Sequence, residues 1–264
     1  MQAALDSRTH AWAALLLACL LAGCATERPG SARAEVESEA RHADGASALR
    51  DWSPRELPGK KPTRYRLASR AGQACVLAEA ERSVSLWRRP LALSGGAQLG
   101  QFNEVQFDWW IGSHEGGATV AEAATDDAVA RLVLGFDGDQ SQLSLRNRMQ
   151  FELVQTLTGE APPFATLMYV WDAQAAPGSL IISQRSDRIR KIVVGSGAMA
   201  AGWQRLRRDV RADYQRAFGE EPGRLISMAL MTDGDNTASR AEACYGSILL
   251  LDAAGQPLPG SLLL

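Results

Sequence analysis

Histidine is almost absent from this chain. Of three in 264 residues, His10 sits at the head of an apolar leader and His42 in a polar stretch, so only His114 falls in the part whose pattern reads as folded. That leaves no ligand set for a structural zinc. A Ser–His–acid triad would have to use His114, and no G-x-S-x-G elbow accompanies it, because Gly195-Ser196-Gly197 reads only as a tight turn. Gly-rich phosphate loops are missing as well, which argues against nucleotide chemistry. Charge of one sign is also lacking. The 28 Lys and Arg face 30 Asp and Glu, for a formal net charge of −2, and a chain so balanced carries no electrostatic footprint for nucleic acid. Basic residues do gather at 185–191 and 205–216, and both clusters read as solvated faces.

What is present begins with the leader. Arg8 and His10 precede an apolar run at 11–20 that ends in Leu21-Ala22-Gly23-Cys24. The run is too short to span a bilayer and reads as a signal peptide over 1–23. Its ending resembles the lipobox of bacterial lipoproteins, which implies acylation of Cys24 and a membrane partner through the lipid anchor. Ala25 after the cysteine, where inner-membrane lipoproteins carry Asp, implies sorting to the outer membrane, facing the periplasm. Several acyl chains would anchor the protein stably where one would not. Residues 25–50 contain no aromatic residue and cannot bury enough apolar surface to offset their ordering. The organisation expected is therefore 1–23 leader, 24–51 acylated cysteine and flexible tether, 52–252 folded domain and 253–264 tail.

From Trp52 on, short runs of strand character follow one another: 63–68, 74–81, 83–87, 104–111, 128–136, 165–171, 179–183, 190–195, 203–210, 227–231 and 244–251. The run EVQFDWWI at 104–111 alternates, with Val105, Phe107 and Trp109 on one face and Glu104, Gln106, Asp108 and Trp110 on the other. Residues 143–158 form the one convincing helix, with Leu143, Asn147, Phe151 and Val154 spaced for one face and Gly159 as its stop. A single helical turn is expected at 212–218. A parallel α/β fold would need a helix after most strands. The pattern predicts an all-β antiparallel sandwich with one or two short helices.

Several runs resemble one family: FDGD at 136–139, LTGEAPPFATLMYVWD at 157–172, RIRKIVV at 188–194, RRDVRADYQRAFGEEPGRL at 207–225 and MTDGDNTASRAEACYG at 231–246. They are similar to the bacterial domain of unknown function 3047, from about Trp52 to Leu251. That family supplies no activity. The pattern is also distantly similar to jelly-roll modules of the galactose-binding type, which close on a Gly-Asp-Ile strand. Here the run is Gly246-Ser247-Ile248, with Ser247 in place of the acid. In a jelly roll the first and last strands neighbour one another, so Cys75 and Cys244 can meet. A bridge needs Cα atoms within about 7 Å, and two separate buried thiols are the alternative.

Three sets of side chains carry the functional expectations. Trp109, Trp110, Tyr169, Trp171 and Trp203 lie on expected strands, where an outward Trp is a platform for a sugar ring and an inward one is core. Asp233, Asp235 and Asn236 cluster in the turn at 232–237. They could hold a hard cation such as Ca²⁺, or could bond their own backbone as an Asp/Asn/Gly turn. An EF-hand is excluded, since Thr237, Ala238 and Cys244 stand where its ligands and glycine belong. Glycoside hydrolysis needs two carboxyl groups about 5–10 Å apart. Asp108, Asp126, Asp127, Asp137, Asp139, Asp233 and Asp235 are available for it, and no spacing singles out a pair. The leading expectation is a monomeric, non-catalytic envelope module binding carbohydrate or another envelope component. Its competitors are a glycan hydrolase using an Asp pair and an assembly lipoprotein binding a protein.

Overall fold

The computed structural model describes residues 47–91, 102–114, 117–198, 200 and 202–264. The leader, Cys24 and the tether through residue 46 lie outside the described residues. Two sheets are stacked face to face. Their strands are β1 (Ser53–Glu56), β2 (Arg64–Arg70), β3 (Gln73–Glu81), β4 (Ser85–Pro90), β5 (Glu104–His114), β6 (Ala130–Phe136), β7 (Ala165–Asp172), β8 (Leu180–Ile182), β9 (Ile189–Ser196), β10 (Trp203–Asp209), β11 (Leu225–Met231) and β12 (Arg240–Leu251). One sheet runs β1-β4-β11-β6-β7-β9-β8 and the other β10-β5-β12-β3-β2. The chain is an all-β sandwich, as its alternating runs predict.

Pairing is antiparallel throughout except between β7 and β9, which run parallel. The exception arises because β8 takes the sheet edge, antiparallel to β9, so β9 slots between β7 and β8. Alternate side chains point inward and fuse into one core. β5 contributes Val105, Phe107, Trp109 and Ile111, and β6 contributes Ala130, Leu132, Leu134 and Phe136. Each Val, Leu, Ile or Phe side chain among them contributes about 1.5–3 kcal/mol when taken out of water.

β6 is buried on both faces: Pro163 lies against Gly135, and the loop at 117–128 folds across the outside of the seven-stranded sheet, where its Asp126 meets Arg131. There Val120 and Ala128 meet Val170 and Val193 in a second small core. Asp172, at the end of β7, pins that loop. It accepts hydrogen bonds from Val120 N (2.6 Å) and Thr119 Oγ1 (3.3 Å), and from Gln174 N (2.8 Å) and Ala175 N (2.5 Å).

Two boundaries differ from expectation. Leu49 already belongs to the core, so the tether ends before residue 51: one apolar side chain with a turn after it suffices to fold the segment down. Nor is 253–264 a free tail. Leu262 is buried and bridges Ile248, while Pro257 bridges Leu251, so apolar residues spaced along the segment return it to β12.

The helices are α1 (Leu145–Thr158) and α2 (Val210–Phe218). In α2, Asp209 accepts from Ala212 N at 2.9 Å. That cap starts the helix earlier than the expected single turn and lets Val210, Tyr214 and Ala217 enter the core. α1 is docked through polar contacts rather than an apolar face. Asn147 donates to Asp187 (2.5 Å) and accepts from Ser186 Oγ (3.0 Å), and Phe151 packs beside it. Of the face expected there, Leu143 is buried just ahead of the helix, whereas Val154 is exposed.

Candidate functional site

Three of the five expected aromatic residues are core. Trp109 points inward from β5, edge-on to Phe107 at 5.0 Å and to Tyr245 at 6.4 Å. Tyr169 stacks on Phe107 at 5.7 Å and donates its hydroxyl to Asp213 at 2.9 Å. Trp171 lies on Gly195, where an added Cβ would come within 2.2 Å of the ring, and its Nε1 donates to the Gly197 carbonyl at 2.8 Å. All three occupy inward strand positions, so none can stack a ligand, which corrects the expectation for Trp109, Tyr169 and Trp171.

Trp110 and Trp203 take the opposite parity and lie on the outer face of the five-stranded sheet. The register sets Trp203 beside Trp110, Trp110 beside Cys244, Cys244 beside Leu77 and Leu77 beside Arg66. The two indoles meet edge to face at 6.3 Å and pack over the bridge between Cys75 and Cys244, whose Cα atoms are 5.6 Å apart. Both rings are half-buried. Trp203 is fixed by its Nε1, which donates to the Arg70 carbonyl at 3.0 Å. It crosses β12 at Gly246, where a Cβ would stand 3.2 Å from the indole and 3.1 Å from Asp108.

Polar groups rim this ridge. Arg205 donates to Asp108 at 2.9 Å, and Gln73 Nε2 reaches the other Asp108 oxygen at 3.4 Å. Arg70 pairs with Glu242. The result is a rigid aromatic ridge edged by hydrogen-bonding groups. That suits a ligand with apolar C–H on one face and hydroxyls at its rim.

The acidic turn lies on the opposite side of the molecule's two-sheet stack, outside the seven-stranded sheet, and is a network of ion pairs. Arg131, on the outward side of β6, donates to both Asp233 oxygens, at 3.2 Å from Nε and 2.7 Å from Nη2. Its Nη1 also reaches Asp126 at 3.3 Å. Lys191, on β9, pairs with Asp126 at 2.5 Å and donates to the Val120 carbonyl at 3.3 Å. Lys60 pairs with Asp235 at 2.6 Å. Asp127 accepts from Asn236 N (3.2 Å), Thr237 N and Thr237 Oγ1 (both 2.7 Å), and Asn236 Nδ2 donates to the Asp126 carbonyl at 3.2 Å.

Burial pushes the Asp233 carboxyl up to about 7, against the pull of Arg131. Burial and the neighbouring Arg131 pull the Lys191 ammonium below its ordinary value. The Arg131 guanidinium is held charged, its own burial being outweighed by Asp233 and Asp126. A cavity of about 90 Å³ opens beside the network, with Lys60, Arg185, Lys191 and Asn236 in its wall, well below the roughly 300 Å³ at which small-molecule pockets begin.

Asp127, Asp233 and Asp235 bring carboxylate oxygens within 4.8 Å of one another, so Asp127 joins the two expected aspartates. The trio fits a hard cation poorly. Such an ion takes six to eight oxygens, and here a guanidinium, an ammonium and backbone N–H groups already use these. The other carboxylates are engaged too: Asp137 pairs with Arg224 at 3.1 Å, and Asp139 caps the short turn at 140–142 through Ser141 N at 2.9 Å. His114 lies at the end of β5, its side chain outside the described residues.

Sequence reasoning missed Arg131 and Lys191. Lys191 was expected on a solvated face, yet it is 2% exposed, because the 117–128 loop covers it. A single cation inside an apolar run, as in AVARLVLGF at 128–136, was the available signal.

The model of the family described as protein of unknown function (DUF3047) matches residues 50–249. No curated protein matches the chain. Among solved structures, the family 11 xylanase from Neocallimastix patriciarum is similar over 75% of this chain and 97% of its own, at 11% identity and a TM-score of 0.32. At that level nothing of its site carries over.

Proposed function

The chain belongs to the DUF3047 family of proteins of unknown function, and from that premise we propose that it is a non-catalytic binding module whose ligand is a carbohydrate of the cell envelope. The observation that carries this reading is the Trp110–Trp203 pair, half-buried on an outer sheet face and rimmed by Asp108, Arg205 and Gln73. A pyranose ring laid on the ridge would meet indole with its C–H face, and its hydroxyls would meet the exposed Arg205 guanidinium, which Asp108 holds at the rim. Base–aromatic and sugar–aromatic contacts need rigid rings, and the disulfide beneath supplies a rigid floor. The bridge also agrees with an oxidising compartment, in keeping with export and acylation at Cys24, which we include in the proposal.

Hydrolysis is the weaker reading. A glycosidase needs one carboxyl free to protonate a leaving oxygen. Here Asp108 is held by Arg205 and Gln73, and the Asp126–Asp235 cluster is tied to cations. A glycan array probed with the chain from residue 24, carrying Cys24→Ser to keep it unacylated, tests the proposal. Binding to a defined glycan set should be lost in Trp110→Ala and retained in Met149→Gln, a distant surface change. An array with no signal, or one that Trp110→Ala leaves intact, would refute it.

A further inference from the structure

The outer face of the five-stranded sheet continues beyond the Trp110–Trp203 ridge. Next to Cys244 and Leu77 along their strands, the outward positions are Glu242 and Glu79, which lie side by side in the register, with Arg64 of β2 beside Glu79. One such step is two residues, about 7 Å of strand. A second step reaches Arg240 and Glu81, again neighbours across the ladder. Here the face opens into a groove of about 290 Å³, close to the size at which small-molecule sites begin. Arg70 joins ridge and groove. Its carbonyl accepts from the Trp203 indole at 3.0 Å, and its guanidinium pairs with Glu242 in the groove wall.

The groove carries both signs of charge in equal number: Lys61, Arg64 and Arg240 stand against Glu79, Glu81 and Glu242. Each carboxylate is already paired, Glu79 with Arg66 at 3.4 Å, Glu81 with Arg240 at 2.8 Å and Glu242 with Arg70. A polyanion would meet the carboxylates and a polycation the cations, so like-charge contacts select against both. A hydroxyl both donates and accepts, and can bond either kind of wall without bringing a charge. Arg64 is exposed, and its side chain has no hydrogen bond or ion pair among the described residues. Its N–H donors are open to a ligand.

We propose, resting on the carbohydrate reading above, that the ligand is an uncharged oligosaccharide chain bound across both features. One sugar lies on the Trp110–Trp203 ridge, and the following units run along β12 into the groove at Arg64, Glu79 and Glu81. Cys244, beside Trp110, stands four residues from Arg240 at the far end of the groove, about 14 Å of strand. That is further than one pyranose ring reaches, so a single sugar occupies the ridge or the groove and a chain occupies both. The ridge supplies stacking, and the groove supplies hydrogen bonds to successive units.

The chain from residue 24 with Cys24→Ser is titrated with gluco-, xylo-, manno- and galacto-oligosaccharides graded from monosaccharide to hexasaccharide, and with galacturonic acid and glucosamine series of the same lengths. On a neutral series affinity should rise about tenfold or more from disaccharide to tetrasaccharide, and the charged series should bind more weakly at equal length. Arg64→Ala and, separately, Glu81→Ala should remove most of that rise and leave disaccharide binding as it was. Both residues are exposed, so the melting temperature should not move. Trp110→Ala should abolish binding at every length. Trp110-dependent binding that is flat with length, that rises unaltered in both groove variants, or that favours a charged series would overturn the inference and leave the carbohydrate reading standing. No binding to any series, or binding indifferent to Trp110→Ala, would overturn both.

Discussion

Reduction of the Cys75–Cys244 bridge should cost more than loss of most disulfides. The two cysteines are separated by 169 residues, and most of the folded domain, from β3 to β12, lies in the loop they close. In the chain-entropy treatment the penalty removed from the unfolded state grows as 1.5R ln n, which for this loop comes to about 5 kcal/mol at room temperature. A domain of roughly 200 residues unfolds with an entropy near 0.4 kcal/mol/K, so the melting temperature should fall by about 12 °C. The native state gives little back, because Trp110, Trp203, Leu77 and Ala68 still pack around the two sulfurs. Calorimetry with and without a phosphine reductant, and on Cys75→Ala/Cys244→Ala, measures the shift. The double variant separates loop closure from incidental reduction damage. A fall of less than about 3 °C in both experiments would refute the reasoning, showing that the unfolded chain is already restrained or that the bridge distorts the sheet.

Arg131→Met should lower stability by about 3–5 kcal/mol, since it strands Asp233 without its guanidinium; Arg131→Met/Asp233→Leu should recover much of this, and urea titration reads both. Calcium should leave the melting curve where chelator leaves it, because the Asp127, Asp233 and Asp235 oxygens are already used; a rise of several degrees that Asp235→Ala abolishes would reinstate the cation. Asp235→Ala itself should cost at most about 1 kcal/mol, its Lys60 partner being solvent-accessible. Cys24→Ser should abolish incorporation of labelled palmitate, and a labelled variant would dismiss the lipobox.

Strand periodicity made most of the sandwich legible. In the EVQFDWWI run a single rule, alternation across the strand, correctly divides Trp109 from Trp110, although it does not say which of the two sheets they belong to. Tyr169 and Trp171 show the limit of that rule. Both sit at one parity of β7, and only the stacking of the second sheet on that side makes it the buried side. The charge network was illegible for a different reason. Asp126, Arg131, Lys191 and Asp233 come from four separate segments: the pairing of β6 with β11 brings Arg131 to Asp233, and the 117–128 loop, pinned by Asp172, adds Asp126, which reaches Lys191. In α1 the helical period was legible and its orientation was not, since docking through Asn147 reverses the usual inward turn of the leucines.

The order of strands sets when this protein can fold. β12 occupies the centre of the five-stranded sheet between β5 and β3, and β11 lies between β4 and β6 in the other. These two central strands come last in the chain, and the residues that bridge β12, Pro257 and Leu262, come later still. Until residues 225–251 are available, β3, β4, β5 and β6 each expose an unpaired edge, and neither half of the core can close. A chain made of such long-range pairings folds slowly. The Cys75–Cys244 bridge then joins one of the first strands to the last.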